Sequence, residues 1–225
     1  MPLADAAHRH AVQVLRLKQG DLLRVFDGQG VEYQAEITQI AKRQSTITLL
    51  KQINCDNESA LNITLLQAIS RGERMDYAVQ KAVELGVTKI IPVVTERCNV
   101  QLSNGRDKKR WAHWQGVMIA ACEQSGRSVL PELSPVTTLE DVLQDQSLSG
   151  RLVLDPLAQQ GFSTLVPLTA LSLLIGPEGG LSEQELEQVQ AANFQTVKFG
   201  PRILRTETAT AASLAVIQTL WGDLG

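Results

Sequence analysis

From Leu61 to the end of the chain, short apolar segments alternate with helix-patterned ones, and this alternation constrains the fold more than any other feature. Residues 61–69, 87–94, 151–155, 171–175 and 196–199 read as strands. Between the first two, residues 75–85 carry Met75, Ala78, Val79, Ala82 and Val83 at helical spacing and close on Gly86. Trp111, Trp114, Met118, Ala121, Cys122 and Ser125 trace one face of a long helix, and residues 138–143 read as a short one. Ser182-Glu183-Gln184-Glu185 is a capping box opening a helix with Leu186 and Val189 inward, and residues 206–220 form an Ala-rich last helix. Alternation of this kind makes the expected class α/β, a mainly parallel sheet covered by helices.

The first part of the chain follows a different rhythm. Residues 21–26, 31–40 and 45–53 are rich in Val, Ile, Leu and Thr, and are separated by Asp27-Gly28-Gln29-Gly30 and Lys42-Arg43-Gln44. These breaks are of hairpin type. Residues 6–17 have helical character, with Ala7, Val14 and Leu15 apolar, and Asn54-Cys55-Asp56-Asn57-Glu58-Ser59 reads as a polar linker. The expected division is a small β-rich module over 1–58 and an α/β domain over 59–225.

Composition removes several classes of function. With 44% hydrophobic and 20% charged residues the chain is an ordinary globular one. No apolar run approaches the roughly 20 residues that span a bilayer, and Met1-Pro2-Leu3-Ala4-Asp5 lacks the blocks of a secretory signal. A cytoplasmic protein without membrane contact is expected. Three widely spaced cysteines do not make a disulfide framework, and the three histidines lack Cys or carboxylate partners at ligand spacing, so no metal site is expected. A net charge of −3 argues against a simple electrostatic binder of nucleic acid. Its distribution says more: residues 59–130 carry 10 basic and 6 acidic groups, whereas 131–225 carry 4 and 11. Arg71, Arg74, Arg97, the run 106–110 and Arg127 form a cationic segment that could hold phosphate, although scattered surface charge accounts for it equally well.

Two stretches carry the chemistry. Leu174-Ile175-Gly176-Pro177-Glu178-Gly179-Gly180-Leu181-Ser182 and Phe199-Gly200-Pro201-Arg202-Ile203-Leu204-Arg205-Thr206 each leave a short strand and enter a helix. Parallel sheets bind ligands outside the carboxyl ends of their strands, which is where both loops fall. Glycine lets backbone approach a ligand closely, and proline stiffens the loop. Either loop alone is equally a tight strand-to-helix turn. Neither fits a P-loop or a dinucleotide fingerprint, and Ser182 serves better as a helix cap than as an elbow nucleophile.

Taken in order, these loops and several earlier segments resemble the branch of the SPOUT superfamily of trefoil-knotted RNA methyltransferases that acts on small-subunit ribosomal RNA. The matching segments are His10-Ala11-Val12-Gln13-Val14-Leu15-Arg16, Phe26-Asp27-Gly28, Ser70-Arg71-Gly72-Glu73-Arg74-Met75 and Gln80-Lys81-Ala82-Val83-Glu84-Leu85-Gly86. Glu96-Arg97-Cys98, Ala120-Ala121-Cys122-Glu123-Gln124-Ser125-Gly126-Arg127, the glycine-rich loop, and Gly200-Pro201-Arg202-Ile203-Leu204-Arg205-Thr206-Glu207-Thr208 complete the series. The resemblance implies a PUA-like β-barrel, a knotted α/β domain, a homodimer, and transfer of a methyl group from S-adenosylmethionine to a uracil N3 of small-subunit (16S) ribosomal RNA. The family usually opens with an extra basic strand, whereas this chain starts at the following helix, so the barrel is expected to lack that strand.

By the same resemblance the cofactor contacts are Leu154, Asp155, Ile175, Gly176, Pro177, Glu178, Gly179, Gly180, Phe199, Gly200, Ile203, Leu204, Arg205 and Thr206. Ile203 and Leu204 read as walls for an adenine ring. Uracil N3 is a poor nucleophile until it loses its proton, so a base and a cation are needed. Arg205 or Arg127 could meet the developing anion or a phosphate, and Glu178 is a candidate for the cofactor site or the base. Glu207 is equally suited to stabilising the last helix through its dipole. Arg71, Arg74, Arg97 and Arg127 are the candidate RNA contacts. Two other functions are open at this point: a non-catalytic RNA-binding protein with a degenerate knot, and an α/β enzyme using helix N-termini to hold a small anionic metabolite.

Overall fold

A computed structural model describes residues 1–54, 57–98 and 106–225. Cys55 and part of the expected linker lie outside the described residues. The chain forms two compact units, one of residues 1–57 with 126–129 and one of residues 58–125 with 130–225. The first stretch of unit one ends at Asn57, and the sequence reading divides the chain after residue 58. The short return of 126–129 to the first unit was not anticipated.

In the first unit, α1 (Asp5–Arg9) precedes an antiparallel sheet of β1 (Leu22–Phe26), β2 (Glu32–Ile40) and β3 (Ser45–Ile53). The Gly28-Gln29-Gly30 break lies against the returning segment, where the Gly30 N–H donates to Ser128 O at 3.1 Å. Residues 6–17 do not form one helix: after α1 the chain passes into a π-helical turn, His10–Val14, and Arg16 adopts a left-handed conformation, φ 57°. Val14 and Leu15 face solvent, while His8 and Ala11 are buried, the His8 ring bonding Ser45 Oγ at 2.8 Å. The first residues also do more than lead into the helix. Met1 and Leu3 exchange backbone hydrogen bonds with Ile47 and Ser45, adding a short pairing to the edge of β3. Ala35, Ile37 and Ile47 supply the core of this unit.

In the second unit, β4 (Asn62–Ala68), α2 (Glu73–Glu84), β5 (Lys89–Val94) and α3 (Arg106–Ser125) follow one another as the alternation predicts. Two strands of two residues that the sequence did not announce, β6 (Glu132–Leu133) and β7 (Thr137–Thr138), extend β5. Then come α4 (Leu139–Gln144), β8 (Arg151–Leu154), β9 (Ala170–Ile175), α5 (Glu183–Ala191), β10 (Gln195–Val197) and α6 (Thr206–Trp221). All pairings in this sheet are parallel, in the order β10-β8-β9-β4-β5-β6, with β7 also on β5. One face packs Leu66, Val93, Val153 and Leu174 against Leu139, Val142, Val189 and Phe194. Met75, Val79 and Val83 of α2, Trp114 and Met118 of α3, and Leu214 and Ile217 of α6 are buried as well. Burial of both sheet faces explains why these strands read as continuous apolar runs. The capping box is present: Ser182 Oγ accepts from the Glu185 N–H at 3.2 Å and Glu185 Oε2 accepts from the Ser182 N–H at 2.9 Å.

Candidate functional site

Strand order brings three carboxyl ends side by side. Leu154 ends β8, Ile175 ends β9 and Val197 ends β10, and these strands are neighbours in the sheet. The loops they feed enclose a cavity of about 600 Å³, the size of a cofactor or nucleotide site. Its floor is Leu154, Asp155, Ile175 and Val197; Gly176 to Ser182 form one wall; Phe199, Gly200 and Arg202 to Thr206 form another, with Ala209 of α6 behind. Every residue expected to contact a cofactor lines this cavity. Pro156, Leu157, Leu181, Leu186, Arg202 and Ala209 line it too, and were not picked out from the sequence.

Each wall is fastened from behind. The Thr206 hydroxyl donates to Gly176 O at 2.9 Å, joining the start of α6 to the glycine-rich loop. The Gly180 N–H donates to Pro177 O at 2.9 Å, closing the turn, and Gly180 holds φ 67°. Phe199 meets buried Phe162 edge-on at 6.1 Å, and the Lys198 N–H donates to Gln160 O at 2.7 Å. Glu185 reaches beyond its cap, its Oε1 accepting from the Glu96 N–H at 2.7 Å.

The arginines divide. Arg97 lines the cavity and its Nη1 donates to Gly179 O at 2.9 Å and Leu181 O at 3.3 Å. Arg74 pairs through Nη1 with Glu178 Oε1 at 3.0 Å, and the same oxygen accepts from the Arg71 N–H at 3.2 Å. Two of the four expected RNA contacts therefore grip the glycine-rich loop by their side chains, and Arg71 does so by its backbone N–H. Arg127 belongs to the segment that returns to the first unit, is 4% exposed, and does not line the cavity. It follows the end of α3 at Ser125, where the chain leaves the second unit at Gly126. Arg205 is exposed, lines the cavity, and precedes α6 with no capping hydrogen bond from its side chain. Its guanidinium has no ion pair among the described residues.

Glu178 is poorly suited to act as a base. Burial raises its pKa, but the N–H groups of Glu178 and Arg71 and the Arg74 guanidinium outweigh this and hold the carboxyl below its ordinary value. A group held anionic this way accepts a proton reluctantly. A depressed folded-state pKa contributes stability above the unfolded value, and that contribution is lost as pH falls through the folded value. Glu178→Gln is expected to cost up to about 1 kcal/mol at neutral pH. The deficit against wild type should close as pH drops below about 4.3. Parallel denaturant titrations from pH 7 to pH 3 measure this, and a deficit independent of pH would refute the anchoring role.

One wall residue departs from expectation. Leu204 is half-buried, but Ile203 is 85% exposed at the cavity mouth, as is Leu157 at 81%. Ile203 thus borders the opening rather than enclosing a ring. Among the described residues no three His, Cys, Asp or Glu side chains gather as a metal-binding group, and no helix is long and apolar enough to cross a membrane.

Comparison with known proteins agrees with this geometry. Residues 57–218 match the family model for an RNA methyltransferase domain, and residues 3–50 that for an RNA methyltransferase PUA domain. A ribosomal RNA small subunit methyltransferase E from Buchnera aphidicola subsp. Schizaphis graminum is 37% identical over 99% of this chain and 91% of its own. A methyltransferase structure from Legionella pneumophila, in complex with bound S-adenosylmethionine, superposes with a TM-score of 0.97 at 37% identity, covering 100% of this chain and 93% of that one. A ribosomal RNA small subunit methyltransferase E from Neisseria gonorrhoeae, bound to S-adenosylmethionine, superposes with a TM-score of 0.92 at 43% identity over 100% of this chain and 93% of that one.

Proposed function

The chain belongs to the RNA methyltransferase family, and on that premise we propose that it methylates the N3 of a specific uridine in small-subunit ribosomal RNA. The methyl donor is S-adenosylmethionine. The observation that carries this reading is the cavity at the carboxyl ends of β10, β8 and β9, with Arg205, which has no ion pair among the described residues, at its edge. Its walls fit the donor: backbone of Gly176 to Gly180 and Phe199 to Leu204 for the polar groups, and Leu154, Ile175 and Leu204 for an adenine ring. We further propose that the second unit is trefoil-knotted, that two chains associate, and that the protein acts in the cytoplasm. Exposed Leu157 and Ile203 are consistent with cover from a second copy.

When bound, S-adenosylmethionine supplies an electrophilic methyl group for in-line displacement. The chain's own part is positioning and electrostatics. Arg205 stabilises negative charge on the uracil oxygens as the N3 proton leaves. Glu178 holds the loop through Arg71 and Arg74, so the carboxylates left beside the cavity for proton transfer are half-buried Asp155 and exposed Glu183. Arg71 sits between β4 and α2 and Arg74 in the first turn of α2, where they serve as phosphate contacts on the rim.

Titration with S-adenosylmethionine tests the reading. Binding should stabilise the protein by about 2.7 kcal/mol at a hundredfold excess over Kd, and EDTA should leave methylation unchanged. Absence of heat would favour a non-catalytic RNA-binding protein or an enzyme for a small anion. Mass mapping and primer extension on ribosomal RNA from a deletion strain locate the methyl group. A modified base other than uracil, or an atom other than N3, would overturn that assignment.

A further inference from the structure

Within the apolar run of β4 one side chain is out of character. Gln67 is 0% exposed and stands between Leu66 and Ala68 in the middle of the sheet. A buried amide must satisfy two N–H groups and an oxygen or lose stability, and Gln67 does so in one direction only. Its Nε2 donates to Ala68 O at 3.1 Å and to Thr206 Oγ1 at 3.1 Å, and its Oε1 accepts from the Thr210 hydroxyl at 2.6 Å. Thr206 has a single hydroxyl proton, and that proton is directed at Gly176 O, 2.9 Å away. The result is a buried chain of hydrogen bonds, Thr210 to Gln67 to Thr206 to Gly176, that runs from α6 through the sheet to the first residue of the glycine-rich wall.

We infer that Gln67 is a positioning residue for the cavity: by donating to Thr206 Oγ1 it commits the Thr206 proton to Gly176 O and so fixes the wall that begins there. This rests on the reading of the cavity as the S-adenosylmethionine site. The chemistry supports an effect on ligand binding more than on fold stability. The Gly176 carbonyl precedes Pro177, which has no N–H to anchor the next peptide, so the loop's attachment at this point depends on the Gly176 oxygen. A loop left free to reorient lowers ligand affinity by the fraction of time it is misplaced. Gln67 lies behind Thr206 and does not line the cavity, so it acts through Thr206 and not on the ligand.

The test uses Gln67→Met, which keeps length and volume and removes the donors, with Thr206→Val and the double variant. In the protein without cofactor, amide hydrogen exchange at Gly180 and Leu181 should speed up about fivefold or more in Gln67→Met, while Leu186 in α5 stays protected. S-adenosylmethionine affinity should weaken about five- to tenfold, with the single-turnover rate at saturating cofactor within about threefold of wild type. The double variant should bind no worse than Thr206→Val alone, because both changes break one chain. Thr206→Ser, which restores the hydroxyl, should recover wild-type exchange and affinity, and it reports on the same chain should Gln67→Met not fold. Unchanged exchange at Gly180 in folded Gln67→Met, additive losses in the double variant, or no recovery in Thr206→Ser overturns the inference. If the wild-type protein takes up no S-adenosylmethionine, the functional reading fails, and the exchange measurements still decide the role of Gln67.

Discussion

Arg205→Ala is expected to lower kcat and kcat/KM together, by roughly 10²–10³, the loss seen when a donor to a developing oxyanion is removed. Arg205 precedes α6 and lines the cavity, and it has no ion pair among the described residues. Arg74 is already committed to Glu178 and Arg97 to two loop carbonyls, which leaves Arg205 and Arg202 as the cavity-lining arginines without an ion pair among the described residues. A cation without an internal partner keeps its full field for the ligand. In the proposed uracil-N3 reaction it gains most as the base loses its proton and charge spreads to the ring oxygens, so its loss should appear in the chemical step more than in ground-state affinity. Arg205→Lys should recover only part of the rate, since an ammonium restores charge but not the planar fork. Single-turnover methylation, cofactor titration and RNA binding at several salt concentrations separate the possibilities. An unchanged single-turnover rate with weakened RNA binding would move Arg205 to the binding surface.

Much of this site was legible in the sequence because strand ends and glycines are local signals. The apolar segments before Gly176 and Phe199 announce strands, and in a parallel sheet the loop after a strand is on the ligand side. Strand order was not legible, and it is order that sets β8 between β10 and β9 and so adds Pro156 and Leu157 to the cavity. Partnerships across the chain were hidden for the same reason. Nothing local reveals that Arg74 meets Glu178, 104 residues away, or that Glu185 receives the Glu96 N–H, 89 away. Gln67 did leave a trace, a lone amide within an apolar strand, but spacing alone does not name its partners. The helix expected over residues 6–17 failed for a different reason. Arg16 turns left-handed and burial falls to His8 and Ala11, so the module's own packing overrode the local apolar pattern.

Arg97→Ala is expected to weaken S-adenosylmethionine binding roughly 10–100-fold, the span of a lost hydrogen bond from a charged donor, and to leave the salt dependence of RNA binding as it was. The Arg97 guanidinium spans the glycine-rich wall, donating from Nη1 to Gly179 O at 2.9 Å and Leu181 O at 3.3 Å. Its stem lies close over Gly179, where an added Cβ would come within 3.2 Å of Arg97 Cβ. That position suits a glycine because the arginine crosses it. Exposure to water draws the expected loss toward the lower end of the span, and Arg97→Lys should recover part of it by reaching one carbonyl. Arg71 supplies the contrast, since its N–H, not its side chain, serves Glu178. Arg71→Ala should flatten the salt slope of RNA binding by about one unit with cofactor affinity intact. Titrating both variants with S-adenosylmethionine and with a ribosomal RNA fragment at several salt concentrations distinguishes clamp from phosphate contact. A flattened slope in Arg97→Ala at unchanged cofactor affinity would make Arg97 a phosphate contact and leave the glycine-rich wall to Glu178 and Thr206.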